Sequence, residues 1–325
     1  MIGTRHAVLL AALVLLAAAS IAIALVVGSV AIHPLAVLDA LRDSAGGLDA
    51  DIVRELRLPR AVNAFATGGL LAVAGVLMQV LVRNPLADPY VLGISGGAAV
   101  GALGAILVGA AGLLVPGAAF VGAAASTALV LALGRAGGAW MPTRLLLVGV
   151  IVAAGWGAVV TFMLAVAPDQ RLRGMLFWLM GDLSHASGGG IALGALAVGA
   201  AAALVLARKL NLLAHGDDRA AILGVEVAPT RLAVFLLASA LTAAAVTTAG
   251  TVGFIGLVVP HLVRLASGED HRVLVPGAAL LGGALLVLAD TLARTLLAPQ
   301  QLPVGVVTAL VGVPLFLVLL ARRSR

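Results

Sequence analysis

Apolar runs long enough to cross a lipid bilayer recur from one end of this chain to the other. The first, AVLLAALVLLAAASIAIALVVGSVA, fills residues 7–31. A hydrocarbon core about 30 Å thick needs about 20 helical residues to span it. Lipid offers no partner to a bare N–H or C=O, so a spanning segment must be a helix or part of a closed barrel. A barrel strand would show about ten residues of alternating polarity, and these runs do not alternate. The chain is 62% hydrophobic and 10% charged. Its mean hydropathy is +1.18, far above that of soluble domains. The expected fold is therefore an all-α polytopic membrane protein, one transmembrane domain over residues 1–325.

About ten membrane helices are expected, near 7–31, 61–82, 91–109, 113–134, 144–166, 190–207, 230–249, 254–266, 274–297 and 304–321. The first follows Arg5 and His6. It is too long for a signal-peptide core and is read as a retained helix. The eighth, inside GTVGFIGLVVPHLVRLASGEDHR (250–272), is anomalous. Its 13 residues reach only about 20 Å at 1.5 Å per residue. Placing both termini in the cytoplasm puts most of the 20 basic residues inside, as membrane topology favours. Three stretches then lie outside the apolar runs. Two are outer loops, 32–60 and 168–189, the latter amphipathic enough for a surface helix. The third is an inner segment, 208–231, where Asp217 is expected to cap a short helix that Gly224 stops.

The missing chemistry is informative. Phosphate cradling by a P-loop needs G-x-x-x-x-G-K-[ST], yet the only lysine is Lys209. There is no cysteine and no H-E-x-x-H, so thiolate metal sites and that zinc-hydrolase site are excluded. The basic residues form no stripe, which argues against nucleic acid. Ion-coupled carriers keep acids at mid-membrane. Here only Asp290 lies well inside an apolar run, with Arg294 at i+4 as its expected local partner. A separate energy-supplying subunit fits this pattern better than a secondary transporter or a membrane enzyme. Gly93, Gly97 and Gly101 line one helix face and are expected to pack tightly within the subunit, with a dimer seam as the alternative.

Five segments carry a family resemblance: RLPRAVNAFATGGLLAVAGVLMQVLVRNPLADPYVLGISGGAAVG (57–101), LFWLMGDLS (176–184), GTVGFIGLVVPHLVR (250–264), DTLAR (290–294) and LPVGVVTALVGVPLFLVLL (302–320). In this order and spacing the chain resembles the permease subunits of type II ABC importers for iron–siderophore complexes, heme and vitamin B12. The resemblance implies a homodimer in the bacterial inner membrane with a pathway along the dimer axis. Two cytoplasmic ATP-binding subunits would hold ATP and Mg, and a periplasmic protein would deliver the cargo. The chain itself would bind no cofactor or metal and carry no catalytic residue.

Several residues take expected roles from that resemblance. Gly216, Asp217, Asp218 and Arg219 would meet the ATPase. Arg57, Arg60 and Arg294 would meet glutamates of the binding protein. Asn84, Leu86 and Thr143 would line a cytoplasmic gate. Arg171 and Arg173, near the outer mouth, would meet anionic groups such as heme propionates. Heme is the expected cargo, with ferric siderophores and cobalamin as alternatives. His261 belongs to the general motif and is not expected to ligate heme.

Overall fold

The computed structural model describes residues 3–28, 30, 32–42, 46–135, 142–184 and 189–323, and among them it contains helices and no sheet. Seven helical segments are long and apolar enough to cross a membrane. They are α1 (Thr4–Val26), Leu48–Val82, α6 (Leu114–Arg135), α7 (Pro142–Ala165), α9 (Gly189–Ala214), α11 (Val227–Ala249) and α13 (His271–Thr295). Three shorter apolar helices join them: α5 (Ile94–Leu107), α12 (Ile255–Ser267) and α14 (Val304–Arg323). The ten apolar runs of the sequence each fall on one of these. Parts of the expected outer loops, 43–45 and 185–188, lie outside the described residues, as do Ser29, Ala31 and Arg325.

The centre of the fold is α4 (Leu58–Val82), which packs against α1, α7, α9, α11, α12 and α13. Within its membrane-spanning window 89% of residues are buried, against 17% for α7. The peripheral helices expose Ile191, Val198 and Val205 of α9 or Leu147 and Ile151 of α7, the pattern of lipid-facing surface. Small residues let the central helices touch. A Cβ on Gly75 would lie 1.9 Å from Gly256 O, so α4 and α12 cross with backbone against backbone. Gly97 and Gly101 of α5 meet Gly122 O and Ala118 O of α6 in the same way, at 2.4 and 2.1 Å from the position of an added Cβ. Their glycine face is thus an intrasubunit contact.

Two chain segments break at mid-depth and meet there. After α4, residues 84–93 do not begin a full span. A 3-10 turn, Pro89–Leu92, carries the chain back toward the middle of α4, and α5 completes the crossing with 14 residues. From the other side, residues 250–254 descend without helical structure before α12 begins. Pro89 packs on Gly256, and the Val252 N–H donates to Tyr90 Oη at 3.0 Å. Irregular backbone is tolerated at this depth because protein, not lipid, surrounds it. Pro260 removes the helical donor of Gly256 C=O, and that carbonyl is the one facing Gly75.

Two expectations change. The outer segment 32–60 is mostly helical: α2 (Pro34–Leu41), α3 (Leu48–Asp51) and a π-helical turn, Ile52–Arg57, that runs directly into α4. Leu25, Val37, Ala40, Ala50 and Val53 form a small apolar core of their own beneath it. Pro34 at the first helical position starts α2, with His33 as its cap. At its C-terminal end α9 continues to Ala214, beyond the expected limit at 207. Its added turn carries Asn211, which receives the His271 N–H at 2.9 Å and donates to Asp270 Oδ1 at 2.9 Å. The start of α13 is thereby tied to the end of α9.

Candidate functional site

Three of the family-like segments converge at one end of the bundle. The helix α8 (Asp169–Leu179) follows α7 in the chain, packs against α5 and ends at Met180–Gly181. There the Asp182 N–H donates to Ala249 O at 2.8 Å, the Val304 N–H donates to Gly181 O at 3.0 Å, and Thr251 Oγ1 donates to Leu179 O. Gly250 is required at its position. Its φ of +67° suits glycine, and a Cβ would lie 2.2 Å from Trp178 O. Phe254 also takes a left-handed φ, +70°, and packs on Gly312 of α14. Beside this junction lies an open apolar cleft of about 320 Å³, lined by Leu179, Met180, Thr251, Gly305, Val306, Ala309 and Leu310.

The arginines expected to face a binding protein are engaged inside the subunit. Arg57 is 5% exposed and donates to Leu25 O at 2.7 Å, to Val26 O at 2.8 Å and to Val30 O. Arg294, also buried, donates to Ala24 O. Both therefore satisfy the terminal carbonyls of α1, a helix with no basic residue in its own last turn. Arg60 forks onto Asp290, and its Nη1 donates to Gln301 Oε1 at 2.8 Å. The expected local pair of Asp290 with Arg294 is replaced by this long-range one. Arg60 is thus the member of the trio nearest the surface, with its side chain 14% exposed.

The two arginines expected at the outer mouth separate. Arg171 turns to the end of α5 and donates to Leu107 O. Arg173 is exposed and lies over the Phe177 ring, 5.4 Å from its centroid. His261 is buried edge-on against Phe316, with ring centroids 6.5 Å apart.

At its C-terminal end, α4 stops in a hydrogen-bonded motif. The Arg83 N–H donates to Val80 O and the Asn84 N–H to Gln79 O, with Arg83 itself left-handed at φ +54°. Asn84 then turns the chain by accepting the Leu86 N–H at 2.9 Å. Asn84, Leu86 and Thr143, the three expected gate residues, are all exposed. A polar pocket of about 170 Å³ adjoins this turn, and Gln79, Arg83, Asn84, Arg264 and His271 contribute to its wall.

The segment expected to couple to an ATPase forms α10 (Asp217–Ile222). Gly216, at φ +112°, occupies the cap position that the sequence assigned to Asp217. Gly224 ends the helix as expected: its N–H donates to Ala221 O, and the Val225 N–H donates to Ala220 O. Asp218 and Arg219 are exposed. Asp217 is turned inward, 2.6 Å from Arg231 Nη2. At the tip of the segment Ile222 and Leu223 are 84% and 62% exposed.

The profile of the FecCD transport family matches residues 14–322. The chain belongs to the FecCD transport family. It is 45% identical over 276 residues to a hemin transport system permease of Yersinia pestis, covering 82% of each chain. A cobalamin import system permease of Halobacterium salinarum is also 45% identical over 276 residues, covering 84% of this chain and 74% of its own. The Fe(3+) dicitrate transport system permease FecD of Escherichia coli is 40% identical over 275 residues, with 83% and 85% covered. A solved inward-facing structure of a metal-chelate type ABC transporter superposes with a TM-score of 0.84 at 30% identity, covering 97% of this chain and 99% of that one. The FecCD-family chain is thus a multi-pass transport permease of the ABC-importer type, not an enzyme.

Two features of this FecCD permease were not legible as single motifs. The capping of α1 by Arg57 and Arg294 comes from residues far along the chain, and its one local trace is Gly28, where a Cβ would stand 2.6 Å from Arg57 Nη2. Arg231 carries no motif, yet it is among the largest fully buried side chains in the fold.

Proposed function

We propose that two copies of this chain form the membrane pathway of an importer for heme, driven by separate ATP-binding subunits and fed by a binding protein. Burial supports a pathway on the subunit surface. The helices close around α4, so the subunit centre is packed, while the outer cleft beside α14 is open. A path for a bulky solute cannot be walled by lipid, so a second copy is the natural cover. The excess of basic residues on the Arg83–Arg219 side supports a cytoplasmic placement of that side and of both termini.

The observation that carries the cargo is the face of α8. Arg173, Phe177 and Met180 follow at i, i+4 and i+7, so they share one stripe. The stripe begins with an exposed guanidinium stacked on an aromatic ring and ends in the apolar cleft. A flat apolar macrocycle bearing carboxylates matches both ends: guanidinium binds carboxylate, and the cleft takes the ring. Identity to relatives does not choose the cargo, since the hemin and cobalamin permeases are equally similar.

The test is uptake into proteoliposomes holding the permease and its ATPase, with the binding protein outside and ATP inside. Heme, ferric siderophores and cobalamin are offered in parallel. Heme uptake that falls at least tenfold in Arg173→Glu supports the assignment. Uptake of cobalamin or a siderophore in place of heme overturns it.

A further inference from the structure

Arg231 lies near the start of α11, yet its side chain serves two other elements. Its guanidinium is 2% exposed. Nη2 donates to Asp217 Oδ1 at 2.6 Å and Nε reaches the same oxygen at 3.2 Å. From the other edge, Nη1 donates to Leu81 O at 2.9 Å. Asp217 is the first residue of α10, whose tip exposes Ile222 and Leu223. Leu81 is in the last turn of α4, three positions before Asn84. Buried charge is costly and needs good geometry on every donor, so a guanidinium at this depth holds its two partners in fixed relation. A second contact runs in parallel. Arg83, the left-handed residue ending α4, brings its Nη1 to 3.8 Å from where a Cβ on Gly216 would stand.

We infer that Arg231 is a positioning residue for transport, a rigid strut that carries displacement of α10 to the end of α4 and so to the Asn84–Leu86 turn. The inference rests on the proposed ATP-binding partner and on the expectation, implied by the family resemblance, that α10 docks it. Movement of α10 by a docked subunit pulls Asp217. The fork of Arg231 passes that pull to Leu81 O, and the terminal turn of α4 shifts with the turn that follows it. Lysine retains the charge, but its single ammonium lacks the planar fork that holds both partners at once.

The chain contains no cysteine, so Leu86→Cys creates a unique thiol on the exposed turn. The experiment uses the permease–ATPase complex in nanodiscs and reads the rate of maleimide labelling at that thiol. Rates are compared without nucleotide and after trapping with ATP and vanadate. With Arg231 present, trapping is expected to change the labelling rate at least fivefold. In Arg231→Lys the ATPase still co-purifies and hydrolyses ATP, but the change falls below twofold. Asp217→Asn, which keeps the acceptor oxygen, retains an intermediate response and shows that folding is intact. A full nucleotide response in Arg231→Lys with ATPase bound overturns the strut alone. Failure of the ATPase to bind the permease with Arg231 intact overturns the docking proposal and the strut with it.

Discussion

Arg60 and Asp290, 230 positions apart in the chain, form a two-point ion pair between α4 and α13, with Nε to Oδ2 and Nη2 to Oδ1 both at 2.9 Å. The carboxylate is 3% exposed. Removing one partner strands a buried charge, which costs about 3–5 kcal/mol. Arg60→Ala and Asp290→Ala are each expected to lower stability by that amount in detergent unfolding. The pair Arg60→Met with Asp290→Met is expected to lose much less than the sum of the two single variants, because no charge is left unpaired.

Arg57 is a helix cap for α1 rather than a surface cation. Arg57→Gln leaves Leu25, Val26 and Val30 carbonyls short of donors, at about 1–3 kcal/mol for each one left unsatisfied. A fall in thermal stability is therefore expected with the permease alone. An unchanged melting temperature together with weakened binding-protein affinity would restore the docking role instead.

Gly250 is held by both its backbone and its neighbour. Gly250→Ala puts a methyl group at a glycine-type φ and against Trp178 O. Backbone strain of this kind costs about 1–3 kcal/mol, and the clash adds to it. The junction of α8, α12 and α14 is expected to loosen, read as faster proteolysis or hydrogen exchange over residues 176–184 and 250–254 while α4 stays protected.

The carboxylate of Asp270 caps α13 from outside the membrane span. Burial alone would raise its pKa, but the Asn211 side chain, the Arg272 N–H and the nearby charges of Arg272 and His271 together hold it below the usual 3.8. A depressed carboxylate stabilises the fold above its unfolded pKa, and that contribution is lost as pH falls through the folded value. The stability gap between the native chain and Asp270→Asn is thus expected to be constant near neutral pH and to close under acid below the usual carboxylate range. A gap that persists there would show that the cap does not depend on the charge.

Much of the fold was legible because lipid imposes one periodicity and one length. Each apolar run became a helix, and the short eighth run kept its 13 residues. What the sequence hid was depth. Pro85 and Pro89 mark a turn, but only packing on Gly256 shows that the turn re-enters the bundle. Charge was legible by position and not by partner. Arg294 sits at i+4 from Asp290, the favoured spacing on an isolated helix, yet the carboxylate takes Arg60 from another helix because the fork fits it at two points. Asp217 looked like an exposed cap for the same reason, since nothing local points to Arg231 fourteen residues on.

The central claim is transport driven by a partner's ATP hydrolysis through a pathway this chain supplies. The direct measurement is heme uptake into proteoliposomes carrying the permease with its ATPase, with ion gradients collapsed by ionophores, beside matched vesicles whose ATPase binds but cannot hydrolyse ATP. Uptake is expected only where ATP is hydrolysed, and unchanged by the ionophores. Gradient-dependent uptake by the permease alone would contradict the account.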